Sequence, residues 1–253
     1  MISIKNSREI DLLRKSAQIV AESLLLAKSL IQPGVRTIEL DKEIAEFIRS
    51  KGARPAFKGF HGYPANICIS INEQVVHGIP GPRILRQGDI VSVDIGVELN
   101  GYYGDAARTF PVGKVSPEKE KLLRITRESL YKGIEAAREG NRLYDIGYAI
   151  QTHVERAGFS VVRDLVGHGI GKEMHEEPQI PNYGEPNRGP RLKAGMVFAI
   201  EPMVNVGEYE VYTQNDQWTV VTRDGLPSAH FEHDVVITKN GAEILSLAAS
   251  EEI

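Results

Sequence analysis

The segment IVSVDIGVELNGYYGDAARTF, residues 90–110, sets two aspartates where they can act together. Val91, Val93, Ile95 and Val97 alternate with Ser92, Asp94, Gly96 and Glu98, the period of a half-buried strand. Asn100-Gly101 is the strongest two-residue hairpin signal. With those two residues as the turn, Leu99 pairs with Tyr102 and Asp94 with Ala107. Asp105 then shares a face with Asp94, one diagonal step away at about 7–8 Å, where two carboxylates can serve a pair of cations. The competing reading is a polar strand face that simply meets water. Gly96, Gly104 and Ala107, expected to leave an open floor around the acids, argue against it.

Further acids stand in the second half of the chain. Glu201 lies in the strand-like run MVFAIEPMVNV (196–206), and Glu232 lies in AHFEHDVVIT (229–238), among alternating Phe231, His233, Val235 and Ile237. A glutamate in such a run is costly to bury unless a cation or a donor meets it. The alternatives are edge strands with the acids in water, or pairing with Arg108 or Arg223.

Between these acids lies LVGHGIGKEMHEEP (165–178), whose glycines suggest a phosphate loop and whose His168 and His175 suggest a metal or a substrate. A P-loop needs four residues between its glycine and Gly-Lys, then Ser or Thr. Here Gly167 to Gly171 encloses three, and Glu173 follows Lys172. A dinucleotide fingerprint needs a different glycine spacing and a following helix, against which Pro178 argues. His175-Glu176-Glu177-Pro178 also lacks the second histidine of a zinc-protease helix. The reading left is a small-residue loop that brings His168 close to carboxylates.

Asp94, Asp105, Glu201 and Glu232 carry four negative charges, which two divalent cations balance. Without cations, clustered carboxylates repel one another and protonate. Oxygen ligands with one imidazole suit manganese, iron, cobalt or zinc. Cations about 3.5–4 Å apart hold a bridging hydroxide and polarise a carbonyl, the arrangement of metal-assisted hydrolysis.

The elements that must position these residues are well signalled. Asn6 and Glu9 form a capping box for a helix that stops before Pro33-Gly34. A second helix runs from Thr37 as N-cap to Lys51, with Gly52 as C-cap. Strand-like sequence follows from Ala65 to His77 and from Ile90 to Phe110. A third helix starts at Ser116-Pro117 and ends at Gly140, and a fourth spans Leu143 to Ala157, before strands dominate. GVRTIELDKEIAEFIRSKG (34–52) aligns with GNRLYDIGYAIQTHVERAG (140–158) at an offset of 106, matching both glycine ends, Arg36 with Arg142 and Glu39 with Asp145. Any two amphipathic helices share apolar spacing, but the matched arginine and acid favour a true duplication. The expectation is one domain over 1–253, with pseudo-repeats of roughly 1–112 and 113–253.

Composition is that of an ordinary soluble protein, 42% hydrophobic and 25% charged with net charge -4, so broad nucleic-acid affinity is not expected. No apolar run reaches membrane-spanning length, the N-terminus has no signal-peptide core, and the lone Cys68 excludes an internal disulfide. A cytoplasmic monomer is expected.

VSVDIG, GYYGDAARTF, GHGIG, MHEEPQIPNYG, GMVFAIEPMV and FEHDVVIT, with HGYPANICISINEQVVHGIP upstream, resemble the type I methionine aminopeptidases over nearly the whole chain. The resemblance implies an α+β pita-bread fold, with helices backing a curved antiparallel sheet in two pseudo-symmetric halves. It implies removal of the N-terminal methionine of nascent polypeptides when the second residue is small, with transient encounter of the ribosome. It makes Asp94, Asp105, His168, Glu201 and Glu232 the ligands of two divalent ions, Asp105 and Glu232 bridging. A bridging hydroxide then attacks the scissile carbonyl with Glu201 as general base. His175 donates to that carbonyl, and His77 contacts the scissile amide. Tyr63, Cys68, Trp218, Phe60 and Met174 are expected to form the methionine pocket, soft and aromatic groups suiting a thioether. Many relatives have tyrosine at position 60, so Phe60 loses any hydrogen bond made from there.

Xaa-Pro aminopeptidases and dipeptidases share this ligand set but usually carry an additional N-terminal domain. Pita-bread proteins that have lost their metals and only bind partners form a second rival, opposed by competent residues at all five ligand positions. Type II methionine aminopeptidases carry a helical insertion for which 158–232 has no obvious room.

Overall fold

The computed structural model describes residues 2–248. Helix α1 spans Ser7–Leu30, and its N-terminus is the expected capping box: Glu9 N–H donates to Asn6 Oδ1 at 3.1 Å and Asn6 N–H to Glu9 Oε2 at 3.0 Å. Helix α2 spans Thr37–Ser50, and its N-cap is Arg36 rather than Thr37. The Thr37 hydroxyl is engaged elsewhere, donating to Gly81 O at 3.0 Å and accepting from Gly81 N–H at 2.9 Å.

After β1 (Arg54–Pro55), the run expected as one strand over 65–77 divides into β2 (Cys68–Ile71) and β3 (Gln74–Val76). Asn72 between them is left-handed, φ 56, and its side chain accepts the Ile90 N–H at 3.1 Å. Strands β4 (Ile90–Leu99) and β5 (Tyr102–Pro111) form the predicted hairpin in the predicted register, with Leu99 opposite Tyr102 and Asp94 opposite Ala107. Asn100 and Gly101 both have positive φ, as a type I′ turn requires.

Helix α3 spans Pro117–Ala136 and stops short of Gly140, because Arg138 and Asn141 side chains donate to the last carbonyls at Glu135 and Ala136. Gly140 instead opens the turn into α4 (Leu143–Arg156), and that turn repeats geometry from the first half. Gly34 N–H donates to Leu85 O as Gly140 N–H does to Leu192 O, at 2.9 and 3.1 Å. Both glycines are left-handed, φ 98 and 92. Glu39 accepts the Arg36 N–H at 3.0 Å as Asp145 accepts that of Arg142 at 2.7 Å. The matched arginine and acid are thus the two ends of one N-terminal cap, made twice.

The second half continues with β6 (Ser160–Val161), β7 (Gly167–Gly169), β8 (Glu176–Ile180), β9 (Val197–Ile200), β10 (Met203–Asn205), β11 (Val211–Thr213), β12 (Val220–Thr222), β13 (Ser228–His230), β14 (His233–Thr238) and β15 (Gly241–Ile244). All pairings are antiparallel, and the larger sheet of this half runs β15-β14-β9-β7-β8. Each half has its own apolar layer. Val91, Val93, Ile95 and Val97 of β4 meet Val20 and Leu24 of α1 and Ile44 and Ile48 of α2. Phe198, Ile200, Val235 and Ile237 meet Ile125 and Leu130 of α3 and Ile146 and Ile150 of α4. Because strand side chains alternate, this backing turns Asp94 and its neighbours on β4 to the opposite face. The halves are stitched where Thr109 Oγ1 donates to His230 O at 2.8 Å and Glu232 N–H donates to Ala107 O at 2.9 Å. No helix among the described residues is long and apolar enough to cross a membrane.

Candidate metal centre

The site lies at that seam. Asp105, on β5, and Glu232, in the break between β13 and β14, are 4% and 2% exposed. With His168 on β7, they offer ligand atoms that all lie within 4.8 Å of one another. Glu201 Oε1 is 3.6 Å from His168 Nε2, and Asp94 stands near enough to Asp105 for their charges to repel. The five carboxylate and imidazole groups singled out in the sequence therefore converge, although the elements differ from expectation in three places.

His168 sits on a short strand, not in a loop, and the glycines beside it serve strand packing. A Cβ at Gly167 would collide with the Ala199 carbonyl, and one at Gly169 with the Glu177 carbonyl. Glu201 follows the end of β9 rather than lying inside a strand, and Glu232 likewise falls between strands. Gly96 and Gly104 leave no open floor. Phe57 packs where a Gly96 side chain would be, and Gly104 faces the other way, onto the α1 backbone at Ala17.

Burial dominates the electrostatics. Loss of water raises Asp94 to about 7 and pushes Asp105, Glu201 and Glu232 well above the usual carboxylate range; mutual repulsion adds to this for the last three. Asp94 Oδ1 and Asp105 Oδ1 are buried with no hydrogen-bond partner among the described residues. Buried carboxylate oxygens without donors, aimed at other carboxylates, are what divalent cations satisfy, so the residues present fit such ions. His168 fits too. Its Nδ1 lies 2.9 Å from Gly169 O, which places the proton there and leaves the Nε2 lone pair toward the acids. Burial and the neighbouring His175 lower its pKa to about 3, keeping it neutral.

Two buried groups escaped the sequence reading. His230 Nε2 lies 3.7 Å from Glu201 Oε2 and 3.9 Å from Glu232 Oε2. Asp234 Oδ2 accepts the Asp105 N–H. His230, Glu232 and Asp234 occupy alternate positions of AHFEHDVVIT, although they fall on β13, in the break after it and on β14.

The other predicted residues border this cluster. The His175 ring is edge-on to His168 with centroids 4.3 Å apart, and edge-on to Phe60 at 5.2 Å. His77 has left-handed backbone, φ 58; burial and then His175 lower its pKa to about 4. Tyr63, Cys68 and Met174 are buried in one apolar cluster, with Phe60 and Trp218 packed against it. Tyr63 and Trp218 rings meet edge-on at 5.1 Å, and the Tyr63 hydroxyl donates to Gly78 O at 3.0 Å.

Helix-backed antiparallel sheets around a buried acid–imidazole cluster match what is found in known proteins. Residues 11–239 match metallopeptidase family M24, and the chain belongs to that family. The chain is 59% identical to the methionine aminopeptidase of Clostridium perfringens over 98% of this chain and 99% of the relative. It is 55% identical to methionine aminopeptidase 1 of Bacillus subtilis over 97% of this chain and 99% of the relative. Its place in the family is among the methionine aminopeptidases. The solved methionine aminopeptidase of Rickettsia prowazekii agrees with a TM-score of 0.96 at 44% identity, covering 98% of this chain and 100% of that one. A prolidase from Pyrococcus furiosus reaches a TM-score of 0.78 at 27% identity, with 98% of this chain covering 66% of that one. The fold is the α+β pita-bread fold expected from the sequence.

Proposed function

We propose that this chain removes the N-terminal methionine from nascent proteins and peptides whose second residue is small, using two divalent ions held by Asp94, Asp105, His168, Glu201 and Glu232. The observation that carries the reading is the convergence of Asp105, His168 and Glu232 within 4.8 Å, with buried carboxylate oxygens that lack donors. These five side chains would hold the ions, the four carboxylates supplying oxygen and His168 supplying nitrogen. Manganese, iron, cobalt and zinc all suit this donor set. When bound, the ions supply Lewis acidity at the scissile carbonyl and lower the pKa of the attacking water.

The remaining steps belong to the protein. Glu201, between the His168 and His230 imidazoles, takes the proton of the attacking water. His175 donates to the carbonyl oxygen as negative charge develops there, and His77 contacts the scissile amide. The cluster of Tyr63, Cys68, Met174, Phe60 and Trp218 receives the methionine side chain, sulfur against aromatic edges. The whole chain acts as one catalytic domain of two repeats, as a cytoplasmic monomer that meets its substrates as they leave the ribosome.

The test is an assay across these metals on a panel of second-residue peptides. Methionine release from Met-Ala and Met-Gly peptides, absent with Met-Leu and Xaa-Pro substrates and abolished by chelation, is expected. Xaa-Pro cleavage without methionine release would overturn the reading.

A further inference from the structure

The loop that carries Met174 and His175 is fastened from outside the site, and Glu176 is the hub of that fastening. Its Oε1 accepts the N–H groups of Lys172 at 2.9 Å and Glu173 at 3.4 Å, folding the loop back on itself. Its Oε2 meets Lys5 Nζ at 2.5 Å and accepts from Ser3 Oγ at 2.8 Å. Lys5 also donates to Ser3 Oγ. The Lys5 and Glu176 side chains are 7% and 17% exposed, so water substitutes poorly for either partner. Burial alone would raise the Glu176 carboxyl, but hydrogen bonds from Lys5 and Ser3 outweigh it and hold the group below its ordinary value.

Lys5 is itself fixed, its backbone N–H donating to Gly195 O at 2.7 Å. Gly171 makes the pairing feasible, since a Cβ there would collide with both the Glu176 carboxylate and Lys5 Nζ. The far end of the loop is pinned to β5, where Tyr103 N–H donates to Gly171 O at 3.0 Å, two residues before Asp105. The His175 ring, by contrast, meets His168 and Phe60 only edge-on, contacts that do not fix direction as a hydrogen bond does. Its placement therefore follows from the backbone that Glu176 holds.

We propose that Lys5, acting through Glu176, is a positioning residue for His175, so that the strap at residues 3–5 sets where the imidazole stands against the scissile carbonyl. This rests on reading His175 as the donor to that carbonyl. Misplacing a donor weakens an interaction made in the transition state, which lowers kcat rather than raising KM.

Lys5→Met keeps the stem and removes the ammonium, and Lys5→Arg restores a cation. In the metal-loaded enzyme on a Met-Ala peptide, Lys5→Met is expected to lower kcat about tenfold or more, with KM changed by less than about twofold. Lys5→Arg recovers most of the loss, and Glu176→Gln, if Lys5→Met does not fold, reproduces it. In a His175→Ala background Lys5→Met should add almost nothing, because its effect runs through that imidazole. A full additional loss in that background, or a loss confined to KM, overturns the proposal. Should His175→Ala itself leave kcat intact, the donor reading of His175 fails separately. Positioning is then decided by the His175 imidazole NMR resonance, assigned from its disappearance in His175→Ala. A shift or broadening in Lys5→Met supports positioning, and an unchanged resonance overturns it.

Discussion

Asp105 donates its backbone N–H to Asp234 Oδ2 at 2.7 Å, so the strand position of one proposed ligand is held by a second buried acid behind it. Asp234 is 1% exposed, and its own N–H is taken up by Ser246 Oγ at 3.0 Å. Asp234→Ala leaves the Asp105 N–H buried without an acceptor, a cost of about 1–3 kcal/mol. Asp234→Asn retains an acceptor oxygen and discards the charge. The urea midpoint of the metal-free protein should fall for the Ala variant and stay near wild type for Asn. Equal losses in both would mean that the charge of Asp234, not its acceptor, supports Asp105.

A second prediction concerns pH in the chelated protein. Burial raises Asp94 to about 7 and Asp105, Glu201 and Glu232 well above their ordinary values. Folded values thus lie above unfolded ones near ~4, so the folded state binds more protons than the unfolded state across this window. Stability from these groups is complete below about pH 4 and is lost as pH rises through about 7. Metal-free Tm should therefore fall from about pH 5 to about pH 8, and a saturating divalent ion should remove the slope, since it binds the anions. A flat metal-free Tm across that window contradicts the clustering of the acids.

Asp105 sits at the centre of the proposed ligand set, with a buried Oδ1 that has no donor among the described residues. Asp105→Ala should abolish methionine release and lower bound metal together, read by turnover and by elemental analysis of the same sample. Normal metal content in that variant would remove Asp105 from the ligand set.

How much of this was legible depends on how locally each feature is determined. The Asp94–Asp105 pair could be read because a two-residue turn fixes the register of ten residues on either side of it. The paired caps at Arg36 and Arg142 were visible as a repeat, although the cap itself moved from Thr37 to Arg36 because Gly81, distant in sequence, claims the threonine hydroxyl. Glu201 and Glu232 were found as misplaced charges, but their location between strands was not legible. Ile200 and His233 pair as neighbours only after a 32-residue excursion through β10 to β13, which no local pattern encodes. Gly104 was misassigned because its neighbour is α1, more than eighty residues earlier in the chain. His230 ends β13 and Asp234 lies in β14, so the break at Glu232 keeps any single strand period from marking the two as partners of one site.

Cys68 is 4% exposed, and burial, followed by the nearby Asp94, pushes its thiol well above the ordinary value. A thiol kept protonated and covered is a poor nucleophile. Ellman's reagent should leave the native protein unlabelled at neutral pH and report one thiol per chain in guanidinium, matching the single cysteine. Rapid labelling of the native state would show that the pocket formed with Tyr63 and Met174 opens to solvent.

Gly104 provides the sharpest packing test, because its neighbour is backbone. A Cβ there would lie 2.5 Å from Ala17 N and 2.8 Å from Ala17 Cα, and the α1 backbone is held in place by Ser16 Oγ donating to Tyr102 O at 2.9 Å. No side chain can rotate away, so Gly104→Ala must part α1 from β5 or bend the strand next to Asp105. Overpacking usually costs about 1–3 kcal/mol, and this site should reach or exceed the upper value. Gly101→Ala is the matched comparison, with open space around it and only a left-handed φ of 78 to strain, costing about 1–2 kcal/mol. Urea unfolding of both variants in the metal-free state should rank Gly104→Ala clearly below Gly101→Ala, with metal affinity reduced for Gly104→Ala alone. The reverse order would mean that α1 yields easily, and that β5 is positioned by its hairpin partner rather than by the helix behind it.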